Sequence, residues 1–191
     1  MQRRLFLGLL VLPVITVAQA LIEPRLRAVV QVERSLAFGS ITVRAFVDVP
    51  VDARLAWSVL TDYDHLAEFV PDMHYSRRVS RPGEPVRVHQ KGEKSWLILD
   101  TPFEVVLLMQ ETPYSRIHFR QLSGTLKDMY GEWRLLPLPG GVRITYVARL
   151  EPGLLSPRVP GDGFLIEADI QRMLEAIGRE MLRRGAGRAA S

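Results

Sequence analysis

The stretch from Asp162 to Arg184 restricts the fold more than any other part of the chain. Read as a helix, it puts Ile166, Ile170, Met173, Leu174, Ile177 and Met181 on one stripe, the spacing of a helix buried along a single face. Asp162 is placed to cap the first turn, and Pro160 discourages helix upstream. Glu167 and Asp169 lie toward the positive end of the dipole, and Arg179, Arg183 and Arg184 toward the negative end. Glu175–Arg179 and Glu180–Arg184 are i,i+4 pairs. Gly185 supplies a stop, which leaves 185–191 as an expected disordered tail. Such a helix is about 30 Å long and needs an apolar surface of matching length.

That surface has to be a sheet, because the chain before the helix reads mostly as strand. Ile41, Val43, Ala45, Val47 and Val49 alternate with Thr42, Arg44, Phe46 and Asp48, as in a half-buried strand. Pro50 ends it. Asp52 is a plausible cap for a short helix over 53–60, and 63–69 predicts a second turn or two before Pro71. Further strands are expected at about 73–80, 85–91, 95–111, 115–122, 127–137 and 141–151. They are separated by Pro82-Gly83, Gly92, Thr112-Pro113, Ser123-Gly124 and Pro139-Gly140-Gly141. Connections this short favour an antiparallel meander. Pro102 implies a bend, a bulge or two strands within 95–111. Residues 21–38 form an N-terminal extension with one short β-like run, Val29 to Val32. A Pro- and Gly-rich loop, 152–161, leads to the long helix. The expectation is an α+β fold, with a curved antiparallel sheet of about seven strands wrapped around a long C-terminal helix.

Residues 1–20 read as a secretory signal: Arg3 and Arg4, an apolar run from Leu5 to Val17, and an A-x-A site at Ala18-Gln19-Ala20. Export to the periplasm with cleavage near Ala20 is expected; an uncleaved anchor is the alternative, for which the apolar run is short. Without those residues the chain carries 23 basic against 21 acidic side chains, a net charge of +2, which argues against nucleic acid as a partner. The sequence holds no cysteine, so neither a disulfide nor a thiol nucleophile is available.

Ala56-Trp57-Ser58-Val59-Leu60-Thr61-Asp62-Tyr63-Asp64, continuing to Phe69-Val70-Pro71-Asp72-Met73, resembles the first-helix signature of the START-like, helix-grip superfamily. The nearer resemblance is to its polyketide cyclase/dehydrase and coenzyme-Q-binding branch. Gly131-Glu132-Trp133-Arg134-Leu135, the Gly140-Gly141 hairpin and the helix end Ile177 to Arg184 agree with it. The resemblance covers roughly residues 40–184, and the domain is expected over 39–184. It implies a sheet that grips the terminal helix around an apolar cavity, and binding of lipids, isoprenoid quinones, polyketides or similar hydrophobes. It does not imply catalysis.

The expected cavity wall is Trp96, Phe103, Phe119, Met129, Trp133 and Tyr146 from the sheet, facing Ile166, Ile170, Met173 and Ile177 from the helix. A register slip of one residue would invert the sheet half of that set. Met73, Met109, Met129, Met173 and Met181 suit either a cavity for a flexible apolar ligand or ordinary core filling. Trp57 is expected to pack the first helix onto the sheet, with the Asp62 carboxylate capping the second. His65, His74, His89 and His118 show no metal-ligand spacing, and neither metal nor cofactor is expected. A cyclase or dehydratase acting on an aromatic polyketide-type substrate is the alternative to a non-catalytic carrier. It would need an acid or base inside the cavity; Glu132, Arg134, His118 and Arg120 lie near, at positions that read as solvated. Arg77, Arg78 and Arg81 form a basic cluster near a loop, suited to transient contact with anionic lipid headgroups or to plain solvation. A third reading uses the same fold to bind a partner's apolar segment.

Overall fold

The computed structural model describes residues 25–35, 39–94, 101–151 and 162–189. Eight strands form one antiparallel sheet in the order β1-β2-β8-β7-β6-β5-β4-β3. They are β1 (Val29–Arg34), β2 (Ile41–Val49), β3 (Met73–Arg78), β4 (Val86–Lys94), β5 (Thr101–Thr112), β6 (Arg116–Gly124), β7 (Asp128–Leu138) and β8 (Gly141–Glu151). From β3 to β8 the chain is a meander, and β8 then pairs with β2, from Ile41↔Leu150 to Val49↔Val142. The crossing from β2 to the far edge at β3 is made by α1 (Ala53–Leu60) and a 3₁₀ turn, Leu66–Glu68. Asp52 caps α1 by accepting the Leu55 N–H at 2.8 Å.

The strand count corrects the expected seven. Val29–Arg34 is no separate extension: it pairs with β2 from Val29↔Phe46 to Arg34↔Ile41 and becomes the eighth strand. Its weak alternation hid this, since every second residue is exposed and the rest only half-buried. Pro102 sits where β5 pairs only with β4; pairing with β6 begins at Val105. The missing proline N–H therefore breaks no ladder bond toward β6. Register shifts at Met73/Tyr75 and Val106/Leu107 mark irregularities that bend the sheet.

The terminal helix, α2, runs Asp162–Ala189. It passes through Gly185 and Gly187, so the expected stop at Gly185 and the tail from 185 to 189 are both corrected. A Cβ at Gly185 would lie 3.2 Å from Leu55 Cδ2, while at Gly187 it would meet nothing. Gly185 thus serves close packing on α1, and the missing side chain does not end the helix. Ile166, Leu174, Ile177 and Met181 are buried in the core with Val43, Val47, Val59 and Ile144. Gly178 lets the helix approach β1 and β2: a Cβ there would lie 2.6 Å from Leu26 Cδ1 and 3.3 Å from Val49 Cγ2.

Arg184 ties the end of α2 to the crossing segment. Its guanidinium reaches Asp62 Oδ2 at 2.8 Å and Glu180 Oε1 at 2.6 Å, and lies over the Phe69 ring. The Asp62 carboxylate also bonds His65 Nδ1 at 2.6 Å. It therefore does not cap the second turn; the 3₁₀ turn has no side-chain cap. Trp57 packs against the core and meets Tyr114 edge-on at 5.9 Å, the structural role expected of it.

Candidate functional site

Helix α2 and the concave face of the sheet do not mesh along their whole length. Between them lies a cavity of about 150 Å³, the size of space that takes up a small aromatic molecule. Phe103, Phe119, Met129, Trp133 and Tyr146 line it from the sheet, and Ile166, Ile170, Met173 and Ile177 line it from the helix. Nine of the ten expected wall residues therefore come together, with the expected facing. The tenth, Trp96, lies outside the described residues, as does the loop 152–161.

The aromatic wall has a specific arrangement. Phe119 and Tyr146 stack at 5.9 Å with planes 13° apart, and Trp133 leans on Tyr146 at 4.5 Å. Gly131, opposite Phe119 in β6 and Ala148 in β8, makes this possible. A Cβ there would come within 2.6 Å of Phe119 Cζ and 2.1 Å of the Val147 carbonyl oxygen. Burial pushes the Tyr146 phenol well above its usual range, so it stays protonated and neutral. Tyr63, also on the wall, donates its hydroxyl to Glu111 Oε1 at 2.7 Å. Burial, then that carboxylate, raises it too.

Apart from Met73 and Met109, left open between cavity and core, sequence reasoning missed the rest of the wall. Leu60, Tyr63, Leu66 and Val70 come from the crossing segment, Leu107, Met109, Ile117 and Leu150 from the sheet, and Leu126 from the turn between β6 and β7. The alternation of β5 and β6 held the signal for Leu107, Met109 and Ile117. The crossing residues had none, because a short irregular segment has no period to read. Met73, Met109, Met129 and Met173 all line the cavity, whereas Met181 is core.

One end of the cavity is polar. Asp72, Gln90, Lys91 and Asp169 border it there, beside Gly92. Arg172 on α2 bonds Asp169 Oδ1, and the same Nη2 reaches Asp72 Oδ2 at 3.0 Å, so it straps the helix to the start of β3. Asp72 holds a left-handed backbone (φ 59°), which aspartate tolerates better than most residues. A Cβ at Gly92 would lie 2.1 Å from the Asp72 carbonyl oxygen, so only glycine permits β4 to pass so close.

The ionisable residues singled out from sequence are elsewhere. Glu132, Arg134, His118 and Arg116 form an ion-pair cluster, with Glu132 at 2.5 Å from Arg134 and 3.5 Å from His118. None of the four lines the cavity, nor does Arg120. Among the described residues no three His, Cys, Asp or Glu side chains are grouped to hold a metal ion, and no helix is long and apolar enough to cross a membrane.

Solved structures share this architecture. A STAR-related lipid transfer protein from Xanthomonas axonopodis superposes with a TM-score of 0.62 at 16% identity, covering 81% of this chain and 93% of that one. A START superfamily protein from Mycobacterium smegmatis gives 0.63 at 15% identity, covering 74% and 97%. The Zhui aromatase/cyclase from Streptomyces sp. R1128 gives 0.57 at 17% identity, covering 84% and 96%. Identities this low establish a common fold. No curated protein matches the sequence significantly. Residues 49–178, more than half of the chain, match the family described as "Polyketide cyclase / dehydrase and lipid transport", and with the helix-grip fold in place the chain belongs to that family.

Proposed function

We propose that this protein binds and carries a small hydrophobic molecule (a lipid, an isoprenoid quinone or a polyketide-like compound) in the cavity between sheet and helix, without transforming it. The carrying observation is the cavity itself, walled by aromatic, aliphatic and methionine side chains and polar at one end only. Apolar surface withdrawn from water is worth about 25 cal/mol per Å², so a ligand that fills such a space gains affinity without polar help. The leader-like residues 1–20 support export to the periplasm as the setting. The basic cluster fits brief contact with an anionic membrane surface: Arg77 and Arg78 end β3 and Arg81 follows, beside Val79, which is 47% exposed.

The cyclase or dehydratase reading draws support from the ionisable side chains on the wall, Asp72, Lys91 and Asp169, which stand together at its polar end. Acid–base catalysis of that kind needs a second titrating group across the substrate. The phenols of Tyr63 and Tyr146 are both pushed up and held neutral, so neither serves as the general base. Uptake of a fluorescent apolar probe tests the choice of site. Met173→Trp or Ile170→Trp fills the cavity and should abolish uptake while the melting temperature stays within a few degrees of wild type. Undiminished uptake by both folded variants would place the ligand elsewhere.

A further inference from the structure

Asp169 is 9% exposed, and its Oδ2 is buried with no hydrogen-bond partner. A carboxylate oxygen left in that state forfeits its hydration with nothing in return, and native proteins rarely leave one so without a reason. The neighbouring cations do not meet it. Arg172 Nη2 serves Asp169 Oδ1 and Asp72 Oδ2, so one guanidinium stands against two carboxylates. Lys91, which also borders the cavity, is engaged with Glu104 Oε1 at 3.2 Å. Asp169 lines the cavity one position before Ile170 and four before Met173, at the polar end of an otherwise apolar wall.

We propose that Asp169 is the polar anchor of this cavity and selects its ligand: Oδ2 accepts a hydrogen bond from a hydroxyl at one end of an apolar molecule. An alcohol or phenol satisfies the orphaned oxygen, whereas an ether, ester or quinone offers only further acceptors and is disfavoured. This rests on the carrier reading and narrows its ligand to hydroxyl-bearing hydrophobes.

A matched pair of probes tests it, 2-naphthol and 2-methoxynaphthalene, titrated calorimetrically at neutral pH where both are uncharged. Wild type should bind the naphthol about tenfold or more tighter than the ether, as expected for a hydrogen bond to a charged acceptor. Asp169→Leu should keep ether binding and bring the two probes to within about twofold. In Asp169→Asn, Arg172 holds the amide oxygen and the NH2 takes the place of Oδ2. A donor then stands where the acceptor was, and the preference should vanish or reverse. This second variant, nearly identical in shape, decides the matter if the leucine variant fails to fold. Equal binding of both probes by wild type, or a preference that survives in Asp169→Asn, overturns the anchor and leaves the carrier standing. Failure of wild type to bind either probe overturns both.

Discussion

At the residue scale the molecule spends its charges on fastening the helix. Hydrogen bonds from Arg183, against the opposing effect of burial, and then from Arg184 hold the Glu180 carboxyl down at about 2, from an ordinary 4.5. Asp62 is lowered as well: partial burial opposes, but His65 and Arg184 outweigh it. A carboxylate whose pKa falls on folding stabilises the fold above its unfolded value and loses that contribution as pH drops through the folded one. The Glu180 contribution is therefore complete above about pH 5 and vanishes between about 4.5 and 2. Glu180→Gln should cost about 1–2 kcal/mol at pH 7. The gap between variant and wild type should close by pH 2 in denaturant titrations across that range; a constant gap would contradict the assignment. Little of this was legible in advance. The Glu180–Arg184 spacing announced one bond, but Arg184 reaches Asp62 from a distant part of the chain, and no local pattern records that.

Elements were easier to read, for a physical reason. A strand with one wet and one dry face writes its orientation into alternate residues: β2 and β8 do so throughout, β6 over Arg116–Arg120 and β7 over Met129–Leu135, which is why Phe119, Met129, Trp133 and Tyr146 could be faced correctly. The helix stripe likewise gave Ile166, Ile170, Met173 and Ile177. What failed were inferences from single residues. Gly185 resembles a helix stop, yet the packing of α1 decides its role; the short run from Val29 was legible as strand, but not that the edge of β2 takes it into the sheet. The two halves of the stripe should also differ in cost. Leu174 is 0% exposed, so Leu174→Ala should destabilise by about 2–5 kcal/mol. Ile170→Ala only widens a space already present and should cost about 1 kcal/mol. Chemical denaturation of the two variants checks this, and equal losses would mean that the helix is packed alike at both sites. Gly178→Leu should drive Leu26 and β1 off the helix at about 1–3 kcal/mol, and amide exchange along β1 should then rise. An unchanged β1 would show that it is held by its ladder with β2 alone.

For the whole molecule, a sheet bent by irregular pairing closes on one face of a helix and leaves the space near Phe103, Met129 and Met173 unfilled. The polar residues at one end, Asp72, Asp169 and Arg172, belong to three-dimensional proximity and to no motif, so a sequence could name the greasy wall and not its polar end. The cavity is the feature on which the functional account depends. Native mass spectrometry of protein purified without detergent measures its occupancy most directly. The account predicts a mass adduct of a small apolar molecule, released on denaturation and absent from Met173→Trp. A wild-type protein that carries no adduct and takes none up when offered apolar compounds would contradict it.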